Sequence, residues 1–361
     1  MERFSCKTQI ISGAGAISQL GQLQIQRLLV VTDPYFMKNG MAEKLGGYSG
    51  AKQITYFDKV IPDPTVALAA EGAAILRKLQ PDTVVALGGG SAMDCAKAMV
   101  YFGGKQTRLV AVPTTSGSGS EVTDFAVLTH EGVKHPLVDK AICPQVAILD
   151  SDLLKQLPPG LIADTGFDVL CHSLEAYVAK DSSPITDALA QASFSMAYAN
   201  LPRSYRADQT VRLQMHTAAT MAGMAFTNAG LGLCHAMAHS LGGLFHLPHG
   251  RLNAILLPSV ISCNAFGAQE KYARLARSAG LGGSADAMAV RNLKNALIRL
   301  RQELHMPGNL AQAGIPPQKL RQHVHQLVAA TLADPCCSTN PAKVEDFMVR
   351  RILEEVMGRE P

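Results

Sequence analysis

Short β-branched segments alternate with segments of helical periodicity throughout the first 150 residues. Helical patterns, such as those at residues 65–79 and 91–101, separate several of the strand-like runs. Strands that are connected through helices pair in parallel, and helices then cover both faces of the sheet. The alternation therefore predicts an α/β domain with a parallel, Rossmann-like sheet. Its predicted strands lie at residues 28–32, 53–57, 83–87, 109–112 and 146–149.

After Asp150 the strand-like runs become rare, and long segments with a 3.6-residue period replace them. A Pro158-Pro159-Gly160 breaker marks the change. We predict an α/β domain over residues 1–155 and an all-α domain over residues 156–361. Pro341 is expected at the first position of the last helix. The helices predicted in the second domain cover residues 163–178, 184–201, 212–224, 269–276, 287–304, 317–332 and 341–357.

A stretch without charged residues extends between Arg212 and Arg251 and contains five of the eleven histidines. A membrane span is one interpretation, but Asn228, histidines and glycines interrupt the apolar residues, and polar groups are costly in lipid. A pair of buried core helices is the better interpretation. The five histidines are His216, His235, His239, His246 and His249.

The composition argues against several classes of partner. The formal net charge is only +4, and Trp is absent, so we expect no nucleic-acid surface. The eight cysteines show no paired spacing. No signal peptide is visible at the N-terminus, because no basic start precedes an apolar run. These features predict a reduced, cytoplasmic protein that has no membrane partner.

Two glycine-rich loops compete as nucleotide-binding sites. Gly13-Ala14-Gly15, with Asp33 at the end of a later strand, fits part of a Rossmann fingerprint, but a tight turn that enters a helix is the simpler explanation. Gly88-Gly89-Gly90-Ser91 follows one strand directly and precedes a helix. Its backbone N–H groups and the helix N-terminus can therefore face a pyrophosphate. The helix dipole alone would explain Asp94 in the next turn.

A third polar loop, Pro113-Thr114-Thr115-Ser116-Gly117-Ser118-Gly119-Ser120-Glu121, follows the strand predicted at residues 109–112. Its hydroxyl groups suit hydrogen bonds to the phosphates, the ribose or the nicotinamide amide of a dinucleotide. A flexible surface linker is the alternative. The position of the loop at the carboxyl end of a strand favours binding.

A set of acidic and imidazole side chains has the spacing of metal ligands. Asp168 and His172 lie four residues apart in a helical context, which places them on one face, and His235 and His239 repeat this spacing. His249 is expected on a turn. Each histidine alone is more often a core or surface residue than a ligand. Together they form a mixed nitrogen and oxygen set that suits Fe²⁺ or Zn²⁺ better than Ca²⁺ or Mg²⁺.

These motifs together resemble the iron-containing (group III) alcohol dehydrogenases, in order and over nearly the whole chain. The resemblance implies the dehydroquinate synthase-like fold of that family. Residues 227–233 and 245–250 are similar to the branch of the family that acts in propanediol-utilising bacterial microcompartments. The segments that carry the family resemblance are residues 88–94 with Lys97, 113–121, 165–175 and 232–253.

The resemblance implies roles for individual side chains around the metal. Asp168, His172, His235 and His249 match the ligands of Fe²⁺, and Zn²⁺ also suits this set. His239 matches an active-site histidine that is not a usual ligand, and we expect it to be the catalytic residue that relays a proton. His246 departs from the polar residues that relatives often have there, and we expect it in the substrate pocket.

The resemblance also implies the cofactor site. Asp33 matches the acid that holds the adenosine ribose and favours NAD over NADP. The Gly13 loop is then not the phosphate site. The expected cofactor-binding residues are Asp33, Asp63, Gly88, Gly89, Gly90, Ser91, Asp94, Thr114, Thr115, Ser118, Thr123 and Lys134.

The implied function is the interconversion of a short-chain primary alcohol and its aldehyde, such as 1-propanol and propanal or ethanol and acetaldehyde. The metal is expected to act as a Lewis acid, and NAD(H) to carry the hydride. The expected partners are a second copy of the chain in a homodimer and the enzymes or shell of a microcompartment. Two alternatives stay open: a non-redox, NAD-using lyase of the dehydroquinate-synthase-like superfamily, and a non-catalytic metal-binding protein.

Overall fold

A computed structural model describes residues 4–104, 107–131 and 133–358. The outermost residues of the two predicted domains, 1–3 and 359–361, lie outside this part. The chain forms two compact units. One contains residues 5–157, and the other contains Phe4 and the residues from Pro158 onward. The boundary between the units therefore lies two residues after the predicted domain boundary.

The first unit has a parallel sheet, as the sequence predicts, and this sheet has six strands because β1 joins the five that were predicted. The strand order is β1-β8-β5-β4-β2-β3. An antiparallel hairpin of β6 and β7 was not expected from the sequence. The strands are β1 (Gln9–Gly13), β2 (Arg27–Val31), β3 (Gln53–Phe57), β4 (Thr83–Gly88), β5 (Arg108–Pro113), β6 (Phe125–His130), β7 (Val133–Val138) and β8 (Val146–Asp150). The helices are α1 (Pro34–Lys38), α2 (Met41–Ser49), α3 (Val66–Leu79) and α4 (Gly90–Gly103).

The sheet is buried on both faces, which is why its strands have continuous apolar runs. Successive side chains of a strand point to opposite faces. In β4, Val84 and Ala86 pack into a core with α3 and α4, whereas Val85 and Leu87 pack into a second core with α2. At its carboxyl end β4 leads directly into the glycines that precede and begin α4.

Asp150, at the end of β8, organises the loop after β1. Its carboxylate accepts hydrogen bonds from the backbone N–H groups of Gly15 (3.0 Å), Ile17 (2.9 Å) and Asp152 (2.9 Å). These bonds engage the N–H groups of Gly15 and Ile17 inside the protein. The Gly13 loop is therefore a tight turn, as the simpler interpretation of its sequence predicts.

The second unit is helical. The last helix begins at Asp346, so the prediction of a helix start at Pro341 is wrong. His249 is the first residue of a long helix, so the prediction of a turn there is also wrong. No helix in the described ranges is long and apolar enough for a membrane span. The helices are α5 (Pro159–Val178), α6 (Pro184–Tyr205), α7 (Arg212–Ala229), α8 (Leu233–Phe245), α9 (His249–Ser278), α10 (Asp286–Glu303), α11 (Pro317–Ala333), α12 (Cys336–Thr339) and α13 (Asp346–Met357).

Asp150→Ala should destabilise the first unit by about 1–3 kcal/mol, because it leaves the buried N–H group of Ile17 without its acceptor. The free energy of unfolding from urea titration, with hydrogen exchange of the β1 and β8 amides, measures the loss. Asp152→Ala is the control, because its ion pair with Lys155 is solvent-exposed and such pairs contribute little to stability. Equal losses in the two variants would contradict the role of Asp150.

Candidate active site

Three imidazoles converge on one carboxylate oxygen in the helical unit. Oδ1 of Asp168 lies 3.9 Å from Nδ1 of His172, 3.8 Å from Nε2 of His235 and 3.7 Å from Nε2 of His249. The first two residues lie one turn apart on α5, as their spacing predicts. His235 comes from the first turn of α8, and His249 begins α9. The structure thus brings together the four residues expected to bind metal.

The chemistry of this cluster fits a bound transition-metal ion. Ligand atoms of Asp168, His235 and His249 lie within 4.8 Å of one another. Nδ1 of His172 is buried without a hydrogen-bond partner. Burial lowers the pKa of His172 to about 4, which keeps that imidazole neutral, the form that binds metal. One carboxylate with neutral imidazoles suits Fe²⁺ or Zn²⁺.

The cluster favours positive charge at its centre. Burial opposes protonation of His235, but hydrogen bonds to Asp168 and Glu175 outweigh burial and raise the pKa of this imidazole to about 9. Burial raises the pKa of Asp168, yet the surrounding histidines hold it below its usual value. Two buried carboxylates thus stabilise a cation between them, either a proton or a metal ion.

Glu175 orients His235, a role that the sequence analysis missed. Its Oε2 lies 2.6 Å from Nδ1 of His235, so the Nδ1–H group donates to the carboxylate and Nε2 is left to face Asp168. The carboxylate also accepts hydrogen bonds from the N–H groups of Gly232 (3.0 Å) and Cys234 (2.7 Å) at the start of α8. A negative charge is stabilised at a helix N-terminus.

Asn253 is a second missed residue, and it lies on the first turns of α9. Its side-chain amide donates a 2.8 Å hydrogen bond to Oδ1 of Asp168. The residue is fully buried. Spacing could not identify it, because its partner is 85 residues away in the sequence. Asn253 therefore fixes the carboxylate that the imidazoles surround.

His239 and His246 lie further along α8. The ring of His239 stacks on that of His249, with centroids 5.1 Å apart. His239 is thus beside the cluster, while its Nδ1 bonds to Asp334 at 2.8 Å. His246 ends the helix in the left-handed conformation, with a φ of 55° and an exposed side chain. Its expected place in the substrate pocket stays a prediction.

The glycine loop (residues 88–91) and the hydroxyl loop (residues 113–121) contact each other in the first unit. A Cβ on Gly89 would lie 3.3 Å from Oγ1 of Thr115, and a Cβ on Gly90 would lie 3.3 Å from Oγ of Ser118. Gly88 accepts a backbone hydrogen bond from the N–H group of Thr114 (2.9 Å). Ser91 follows in the first turn of α4. Expected phosphate-binding and hydroxyl residues therefore come together at the carboxyl ends of β4 and β5.

Asp94 and Thr123 belong to a buried network behind these loops. Asp94 accepts hydrogen bonds from the hydroxyl of Ser120 (3.1 Å) and the N–H of Val127 (3.2 Å). The ammonium group of the fully buried Lys97 donates to Ser120, to Oγ1 of Thr123 (2.7 Å) and to a backbone carbonyl. These contacts join α4 to the hydroxyl loop and the hairpin.

Asp33 has one carboxylate oxygen engaged. Oδ1 caps α1 by accepting hydrogen bonds from the N–H groups of Tyr35 (2.9 Å) and Phe36 (3.2 Å). The other oxygen, Oδ2, lies 4.0 Å from the position that a Cβ on Gly88 would occupy. Asp33 therefore faces the glycine loop. Asp63 and Lys134 form an ion pair of 2.7 Å on the same unit.

Gly250→Ala should displace His249, because a Cβ at Gly250 would overlap the backbone carbonyl oxygen of Asp164 on α5. We expect a loss of about 2–4 kcal/mol in stability together with weaker Fe²⁺ or Zn²⁺ binding. Thermal unfolding and metal titration of the apoprotein measure the two effects.

Gly243→Ala is the matched control for this variant, since nothing lies within 4 Å of a Cβ at that position of α8. It should be neutral or slightly stabilising because Ala favours a helix. Unchanged metal affinity in Gly250→Ala would contradict the required close approach of α9 to α5.

Comparisons with known proteins identify the family of the chain. The sequence profile described as iron-containing alcohol dehydrogenase matches residues 7–151, and the C-terminal profile of the Fe-containing alcohol dehydrogenase family matches residues 162–357. The chain is 39% identical to the 1-propanol dehydrogenase PduQ of Citrobacter freundii, over 99% of this chain and 100% of that protein. It is 37% identical to the NADPH-dependent butanol dehydrogenase of Clostridium saccharobutylicum, over 98% and 97%.

A solved structure gives the same result for the fold. The sulfoacetaldehyde reductase from Bifidobacterium kashiwanohense in complex with NAD⁺ has a TM-score of 0.90 and 26% identity, over 100% of both chains. The expected fold class, a parallel sheet unit with a helical C-terminal unit, is confirmed. On the family profiles and the full-length relatives, the chain belongs to the iron-containing alcohol dehydrogenase family.

Proposed function

We propose that this protein interconverts a short-chain primary alcohol and its aldehyde with NAD(H) and a divalent metal ion. The substrate pair that fits the relatives is 1-propanol and propanal, with ethanol and acetaldehyde next. One observation carries the proposal: nitrogen atoms of three histidines surround a single oxygen of Asp168. The family match favours this function over a lyase or a non-catalytic metal-binding protein.

Asp168, His172, His235 and His249 would hold Fe²⁺ or Zn²⁺. A metal ion bound there supplies Lewis acidity toward the oxygen of the alcohol or aldehyde. Glu175 and Asn253 keep the ligand side chains in place through the hydrogen bonds described above. Such partners typically contribute 10- to 100-fold to metal affinity.

The first unit would bind NAD(H), which carries the hydride. Gly88, Gly89, Gly90 and Ser91 would cradle the pyrophosphate at the start of α4. The remaining assignments follow the family pattern. Thr114, Thr115 and Ser118 would contact the dinucleotide through their hydroxyls, Asp33 would bind the ribose, Asp63 and Lys134 would flank the cofactor, and Asp94 and Thr123 would support the hydroxyl loop from behind.

His239 and His246 have proposed roles in proton transfer and in substrate binding. His239 would relay the alcohol proton, because its ring stacks on that of His249. His246 would line the substrate pocket. We also propose a homodimer in the cytoplasm that associates with a bacterial microcompartment, as the resemblance of residues 227–233 and 245–250 to that branch of the family implies.

His249→Ala should lose tightly bound metal, and its NADH-dependent aldehyde reduction should fall at least about 100-fold. Reduction of C2–C4 aldehydes and diols is measured with NADH and NADPH, under anaerobic Fe²⁺ and under Zn²⁺, beside the metal content. His325→Ala, an exposed position on α11, is the control and should match the wild type. Full activity of His249→Ala without metal would refute the proposal.

Asp33→Asn tests the coenzyme assignment with little disturbance of the fold, because Asn also caps a helix N-terminus well. Loss of the negative charge should raise kcat/KM for NADPH relative to NADH by about tenfold or more, since a carboxylate repels the 2′-phosphate. Steady-state kinetics with the two coenzymes give the ratio. Asp152→Asn, at an exposed ion pair, is the control. An unchanged NADPH-to-NADH ratio in Asp33→Asn would contradict the proposal that Asp33 binds the ribose.

A further inference from the structure

Helix α8 has two imidazoles, one turn apart, and each is bonded through Nδ1 to a carboxylate. His235 is paired with Glu175 at 2.6 Å, and His239 with Asp334 at 2.8 Å. The first pair directs Nε2 of His235 toward Asp168. The second pair has the same local chemistry, but His239 is 36% exposed in its side chain, so its ring reaches solvent.

Asp334 lies in the connection between α11 and α12. It ends α11, and its Oδ1 accepts a 2.9 Å hydrogen bond from the N–H group of Cys336 at the start of α12. Oδ2 is the oxygen that meets His239. A negative charge at a helix C-terminus is destabilising. The stability of α11 alone therefore does not explain a carboxylate at position 334.

The protonation state of Asp334 settles which nitrogen of His239 carries a proton. Burial raises the pKa of Asp334, but hydrogen bonds from His239 and Cys336 outweigh burial and hold this pKa near 2. An ionised carboxylate only accepts hydrogen bonds. An imidazole with a single ring proton that bonds to this carboxylate through Nδ1 holds the proton on Nδ1, which leaves the lone pair on Nε2.

We propose that Asp334 is a positioning residue, which fixes the ring and the tautomer of His239 so that Nε2 can exchange a proton with the substrate oxygen. In alcohol oxidation, the substrate O–H bond breaks as an Nε2–H bond forms, and a hydride passes from the carbinol carbon to NAD⁺, which becomes NADH. Aldehyde reduction reverses both transfers. This inference rests on the proposed function, because it assumes that His239 relays the proton.

The location of His239 supports this role. Its ring stacks on the ring of His249 with an angle of 17° between the planes. A residue that contacts the metal-ligand side chains on one side and solvent on the other can pass a proton between them. Without Asp334 the ring could rotate or adopt the Nε2–H tautomer, which cannot accept the proton.

A double-mutant cycle separates positioning from general stabilisation. It compares the wild type, Asp334→Asn, His239→Ala and the double variant, all loaded with Zn²⁺. Asp334→Asn should lower kcat for aldehyde reduction at least about tenfold, while metal content and KM for NADH stay within twofold of the wild type. In the His239→Ala background, Asp334→Asn should change kcat less than twofold, because its effect passes through His239.

Asp346→Asn is the matched control, because it removes an exposed carboxylate of the same unit whose ion-pair partner is Arg350 on α13. Its kcat should equal that of the wild type. Two outcomes would overturn the inference: wild-type kcat in Asp334→Asn, or the same fold-loss with and without His239. The second outcome would indicate a purely structural role for Asp334.

A second readout is independent of activity. In protein labelled with ¹⁵N-histidine and loaded with Zn²⁺, long-range ¹H–¹⁵N spectra distinguish the two neutral tautomers, and the signal that vanishes in His239→Ala is that of His239. We expect the Nδ1–H tautomer in the wild type and its loss in Asp334→Asn. The Nε2–H tautomer in the wild type would overturn the inference. An enzyme inactive on every alcohol would refute the proposed function, whereas the spectra would still decide the tautomer.

Discussion

The helical unit is built around a buried oxygen of Asp168 that has three imidazoles and one amide as its partners among the described residues. A carboxylate removed from water is costly unless positive charge or hydrogen bonds compensate for it. Burial lowers the pKa of His172 and His249, and these two neutral imidazoles give limited compensation. A divalent cation among them would neutralise the carboxylate and use the nitrogen lone pairs of the three histidines.

Helices α8 and α9 must begin at defined places beside α5 for this cluster to form. Gly250 lets the start of α9 approach the backbone of α5, and the bidentate pair of Arg251 with Asp164 holds it there. Glu175 fixes the start of α8. The glycine loop of the first unit follows the same logic, since Gly89 and Gly90 admit the hydroxyl loop where a side chain would displace it. Both sites thus depend on glycines at which a Cβ would be crowded by a neighbouring segment.

Sequence reasoning predicted the parallel sheet and the main helices, because apolar runs and 3.6-residue periods report burial directly. It missed β6 and β7, whose hairpin contains Pro136 and lies outside the main sheet. It placed a helix start at Pro341, although the neighbouring Asn340 uses its side chain to accept from Leu233 and to pair with Asn264. Glu175, Asn253 and Asp334 were missed because their partners lie 57 to 95 residues away in the sequence, where spacing gives no signal.

Anomalous diffraction at the iron edge, from crystals loaded anaerobically with Fe²⁺, tests whether Asp168 and the three histidines around it bind a metal ion. One strong peak should lie about 2.0–2.2 Å from donor atoms of Asp168, His172, His235 and His249. Asn253 and Glu175 should keep the hydrogen bonds that orient these ligands. A peak at any other set of residues, or no peak at this cluster in iron-loaded protein, would contradict the account.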